Sequence, residues 1–147
     1  MADGFSTVKT VVQVLNDGEK GFADLGEKIK DPSISSFFIK ESATRAEFAK
    51  ELEAELALVD GDTKGIGGTA SGTLHRTWGD IKASLGGGDH TLLETAEQGE
   101  DAAKKAYKEA LEGELPSAAI QALLLKQQPH IQASHDQVKA FRDSTKS

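Results

Sequence analysis

Cysteine is absent from the 147 residues. That excludes a disulfide framework, an iron–sulfur cluster and any thiolate zinc site. Positive charge is in deficit: 17 Lys and Arg face 24 Asp and Glu, a formal net charge of −7. The lysines are scattered among acids at helical spacing, so the clustered cations that neutralise phosphates are missing and a nucleic-acid partner is not expected. No apolar run approaches the roughly 20 residues of a membrane span. The opening stretch, "MADGFSTVKT", lacks the charged-then-apolar layout of a secretion signal. A cytoplasmic protein is the expectation. Proline is scarce, with three in the chain. Beside many Ala, Glu, Lys and Leu, that scarcity favours helix.

The length suits one domain. A fold of this size buries about 68–70% of the surface that its unfolded chain exposes, so no staple is needed. Apolar residues then recur at three and four. Val8, Val11, Val12, Leu15, Phe22, Leu25 and Ile29 predict helix 1 over 6–30, with Ser6 as its N-cap. Asp31-Pro32 stops it, and Ser33 can cap helix 2 over 33–59. The stripe of helix 2 is Ile34, Phe37, Phe38, Phe48, Leu52, Leu56 and Val59. The very short link makes these two helices antiparallel neighbours.

"DGDTKGIGGTASGT" (60–73) is glycine-rich and polar, hence loop. Leu74, Trp78, Ile81 and Leu85 mark a short amphipathic helix over 74–85. Asp89 can cap helix 3 over 90–112. Gly113 and Pro116 punctuate the next turn. Ile120, Leu123, Leu124, Ile131, Val138 and Phe141 define helix 4 over 116–143, with a kink expected at Pro129. The sum is an all-α, four-helix bundle in a single domain. About thirty residues join helices 2 and 3, where a simple up-down bundle needs only about 2–8. Such a connection, with a short helix of its own, can cross the whole bundle, as in ferritin-like folds.

Each long helix carries an ionisable residue on its apolar stripe. Glu19 follows Leu15 by four, Glu41 follows Phe38 by three, and Arg45 precedes Phe48 by three. Glu97 and Glu100 interrupt the stripe of helix 3 within "EQGEDAAKKAYKEAL". His135 follows Ile131 by four. In the crossover topology, at about 1.5 Å of rise per residue, Glu19 lies about 20 Å along the bundle, Glu41 about 24, Glu97 and Glu100 about 21–26, and His135 about 28. The simple topology clusters Glu51, Glu97 and His135 instead and leaves Glu19 apart.

A buried carboxylate is costly unless it is paired, protonated or bound to a metal. Inward carboxylates and imidazoles from four helices can hold two divalent ions, iron, manganese or zinc. The usual inventory is one Glu from each of two helices and Glu-x-x-His from the other two. Here Glu97 and Glu100 form Glu-x-x-Glu, Thr44 stands three after Glu41, and His135 has Gln132 three before it. Glu19, Glu97, Glu100 and His135 are the candidate ligands, with Glu41 or His75 completing the set. Arg45 and Tyr107 stand behind them. The competing reading needs no metal: Arg45 pairs with Glu41, Glu97 or Glu100, and Tyr107 donates into that network. His90 and His130 are expected at the surface, and Trp78 as an anchor for the connection. The glycine-rich loop lacks the phosphate-binding G-x-x-x-x-G-K-[ST] pattern and a preceding strand.

The stretches "LNDGEKGF" (15–22), "ATRAEFAKEL" (43–52), "SGTLHRTWGDIKASL" (71–85), "EQGEDAAKKAYKEAL" (97–111) and "SHDQVKAFRD" (134–143) resemble the DUF2383 family of bacterial four-helix-bundle proteins. "LHRTW" followed by "EQGEDAAKKAY" is the more specific combination. The resemblance implies a ferritin-like bundle and no particular activity. It draws attention to Glu19, Arg45, His75, Arg76, Trp78, Glu97, Glu100, Asp101, Tyr107 and His135. Where the family often has Glu before the helix 2 arginine, this chain has Thr44. Two functions follow as expectations. One is a metal-binding ferritin-like protein, with an oxidase, peroxide-handling or storage role only where the metal is iron or manganese with an open coordination position. The other is a non-catalytic structural or stress-associated bundle that acts through its acidic surface or as a homo-oligomer.

Overall fold

A computed structural model describes residues 4–60 and 88–145. Among them are four α-helices and no strand: α1 (Gly4–Lys28), α2 (Pro32–Asp60), α3 (Gly88–Glu112) and α4 (Ala118–Ser144). The expected crossover, its short helix over 74–85, His75 and Trp78 fall outside the described residues. No helix among the described residues is long and apolar enough to cross a membrane.

The helix ends follow capping chemistry, though not always with the expected cap. Ser6 lies inside α1, which starts two residues earlier. Pro32 is the first residue of α2, where its missing N–H costs nothing. Asp31, not Ser33, caps that helix: its Oδ1 accepts from the amides of Ser33 at 2.8 Å and Ile34 at 3.2 Å. Asp89, expected to cap α3, lies inside its first turn and sends its side chain across to the α1–α2 turn. Its two oxygens accept from the amides of Lys30 at 2.9 Å and Asp31 at 3.1 Å. Ser117 caps α4 by accepting from the Ile120 amide at 3.1 Å. Pro129, on the exposed face of α4, lies within a helix that continues to Ser144.

Two apolar clusters fill the bundle. One joins Val8, Val11, Val12 and Leu15 of α1 to Leu52 and Leu56 of α2, Ala103 to Ala110 of α3, and Ile120, Leu124 and Ile131 of α4. The other joins Phe22, Leu25 and Ile29 to Ile34 and Phe38, Leu92, Leu93 and Ala96, and Val138. Each fully buried Leu, Ile or Phe contributes about 1.5–3 kcal/mol. The shared clusters also set direction. The start of α1 packs with the ends of α2 and α3 and the start of α4. So α1 and α4 run one way and α2 and α3 the other, and Asp60 and Gly88 lie at opposite ends of the bundle.

Each helix passes from one cluster to the other at a polar or side-chain-free position. In α1 it is Gly18, in α2 Glu41 and Arg45, in α3 Glu100, and in α4 Ser134; all are buried. These residues form one layer across the middle of the bundle.

Candidate functional site

Arg45 is the centre of that layer and is 1% exposed. Its Nε donates to Glu41 Oε2 at 2.7 Å, one turn earlier on α2. Its Nη2 donates to Glu100 Oε1 on α3 and to Ser134 Oγ on α4, the latter at 3.1 Å. Ser134 in turn donates to the second oxygen of Glu100. The guanidinium carbon lies 4.8 Å from the ring centre of Phe22, a cation–π contact from α1. Gly18 leaves room on that side: a Cβ there would sit 3.7 Å from Arg45 Cγ and Nη1. One guanidinium fork therefore touches all four helices.

His130 closes the layer from outside. Its Nε2 lies 3.0 Å from both oxygens of Glu41 and donates to them, while its ring meets Phe48 edge-on at 5.3 Å. A second polar chain runs through the neighbouring apolar cluster. Tyr107 donates to Gln127 Oε1 at 2.7 Å, and Gln127 Nε2 donates to Glu51 at 3.2 Å and to the Phe48 carbonyl at 3.4 Å. Among the described residues, no buried side-chain nitrogen or oxygen lacks a partner.

The charges respond to this setting. Burial pulls Arg45 down, but Glu100 and Glu41 outweigh it and hold the guanidinium above its ordinary value. Burial raises Glu41 too, yet the His130 hydrogen bond and the Arg45 charge hold its carboxyl below 4.5. For Glu100 burial wins over Arg45 and Ser134, and its carboxyl is raised above 4.5. Burial likewise pushes the Tyr107 phenol up.

The sequence expectation brought six donors towards one metal centre. The structure brings Glu41 and Glu100 together, through Arg45. Glu19 is half-buried and lines an open groove with Ala43, Ala46, Glu47, Lys50 and Glu51. Glu97 pairs with Arg142. His135 reaches Asp101 at 3.0 Å and Asp136 at 3.2 Å, with Glu97 at 4.0 Å, in an outer cluster between α3 and α4. Among the described residues there is no group of three or more His, Asp or Glu placed to hold a metal ion. The inward carboxylates do not fit a metal as they stand, because each already accepts from Arg45 and from one further donor.

Four contributors escape a sequence reading: Gly18, Ser134, Gln127 and His130. A strict alternation of three and four would have found the first three. Along α1 the buried seam is Leu15, Gly18, Phe22, Leu25 and Ile29; along α4 it is Ile120, Leu124, Gln127, Ile131, Ser134 and Val138. Glu19 and His135 each sit one residue off that seam. His130, expected at the surface, is 42% exposed at its side chain yet reaches the buried Glu41.

An all-helical protein with an arginine-centred ion network in its core is thus what fold and site define. A family model, a domain of unknown function called DUF2383, matches residues 4–113, and the chain belongs to that family. The match ends before α4, so Ser134, Gln127, His130 and the 134–143 stretch lie beyond it. A comparison with curated proteins returns no match.

Proposed function

We propose that the charged layer is a structural device that fixes the register of the four helices. The protein works as a non-catalytic bundle of ferritin-like topology, acting through its surface. The observation that carries this reading is Arg45, buried at the place where a di-metal carboxylate bundle would hold its ions. A one-turn slip of any helix moves its partner by about 5.4 Å. Such a slip strands a buried charge, and stranding costs several kcal/mol per ion. Apolar side chains alone discriminate less sharply between neighbouring registers, because hydrophobic burial is non-directional. Binding of iron, manganese or zinc at these carboxylates needs Arg45 to leave three hydrogen bonds in a water-free site.

Arg45→Met tests the reading by urea denaturation. It removes the cation and leaves two inward carboxylates, with an expected loss of about 3–5 kcal/mol. Adding Glu41→Leu and Glu100→Leu restores most of that loss, since a packed apolar layer can replace an ion triad. The triple variant, stable but freed of register, shows reduced amide chemical-shift dispersion. An Arg45→Met protein as stable as the wild type overturns the proposal, and so does a triple variant with undiminished dispersion.

A further inference from the structure

A groove of about 350 Å³ runs between α3 and α4, lined by Lys104, Lys105, Lys108, Gln128, Ile131 and Gln132. Its chemistry is unlike the rest of a chain with a net charge of −7. Lys104 and Lys108 are one turn apart on α3, and Gln128 and Gln132 are one turn apart on α4. Ile131 lies beneath the groove and is fully buried, so the accessible apolar surface is that of the lysine and glutamine methylenes. No carboxylate among the described residues forms an ion pair with Lys104 or Lys108. The field of Lys104 does reach Asp136, whose carboxyl is held below its ordinary value first by His135 and Gln132 and then, more weakly, by Lys104. Lys105 meets Glu109 at 3.9 Å in a loose, exposed pair.

Two like charges at i and i+4 repel, and the repulsion ends when an anion sits between them. We infer that this groove binds a small organic anion with a phosphate-like head and an apolar body. Lys104 and Lys108 take the charged head. The amides of Gln128 and Gln132 can donate to its oxygens or accept from its hydroxyls, though Gln132 must share its Nε2 with Asp136, which it meets at 3.0 Å. The apolar body lies over the lysine and glutamine methylenes. The volume falls at the low end of small-molecule pockets, about 300–1,000 Å³, which suits a monoester rather than a macromolecule. The site is separate from the Arg45 layer and stands or falls independently of it.

Backbone-amide NMR of the full chain, titrated at constant ionic strength with phenyl phosphate and then with inorganic phosphate, tests the site. Saturable shifts confined to residues 104–108 and 128–132 are expected, with phenyl phosphate the tighter of the two. Lys104→Gln with Lys108→Gln leaves the helix content unchanged, because Lys108 is exposed and the half-buried Lys104 keeps its methylenes as glutamine. It weakens phenyl phosphate by about tenfold or more, as expected for losing charge-assisted contacts. Shifts spread over lysines elsewhere, or unchanged affinity in the double variant, overturn the site. Equal affinity for the two phosphates overturns the assigned ligand class.

Discussion

Glu41 and Glu100 share one guanidinium, yet their surroundings drive them in opposite directions. Glu41 gains a second donor in His130, and its carboxyl is held below 4.5. Stability follows the difference in protons bound by the unfolded and folded states. For Glu41 the unfolded chain binds the proton more tightly. Its contribution is therefore complete above pH 4.5 and is lost as pH falls through the lower folded value. Glu100, raised by burial, has the opposite sign: the folded state keeps the proton longer, so stability falls as pH rises from 4.5 towards its folded value. Urea denaturation across this range separates the two. Glu41→Gln flattens the acid loss below pH 4.5. Glu100→Gln removes the fall of stability with pH above 4.5. Gly18 gives a third prediction at this scale. A Cβ there finds ordinary contacts at 3.7 and 3.8 Å. Gly18→Ala should gain about 0.5–1 kcal/mol from helix propensity, measured as an increase in unfolding free energy with Arg45 still in place.

The helices themselves were legible because they are long, amphipathic and bounded by turn chemistry. The seam within each helix was only half legible. A stripe read as "three or four apart" admits both Gly18 and Glu19 after Leu15, and both Ser134 and His135 after Ile131. Attention then goes to the ionisable member of each pair, because it is the one with chemistry. Packing takes the smaller member inward, where the Arg45 fork needs space and a hydroxyl. In α2 and α3 the charged residue itself holds the inward position, so Glu41, Arg45 and Glu100 could be read correctly. Caps show the same limit. Asp89 was expected to cap its own helix; it accepts instead from the amides of the α1–α2 turn, a contact that spans 58 and 59 residues of sequence. Asp31→Ala should cost about 0.5–2 kcal/mol, as N-caps do. Asp89→Ala should cost about 1 kcal/mol for its backbone hydrogen bonds, and amide exchange at Lys30 and Asp31 should quicken in that variant alone.

At the scale of the whole molecule, two apolar clusters are joined through one polar layer. The clusters supply most of the burial, and the layer is suited to choosing among the ways in which four similar helices could pack. The sequence carried the four long helices and the presence of inward charge. It offered Glu41, Glu97 and Glu100 alike as partners of Arg45, and could not tell that Glu41 and Glu100 take it while Glu97 goes to Arg142, because pairing across helices depends on relative height and rotation to within one residue. The central claim is that Arg45 occupies the place that a metal would otherwise take. The direct measurement is the metal content of tag-free protein by mass spectrometry, before and after reconstitution with iron, manganese and zinc. Wild type, Glu100→Ala and His135→Ala are compared. The account predicts no stoichiometric metal in any of the three. Near-stoichiometric metal in the wild type, lost in both variants, would contradict it and make the bundle core a metal centre.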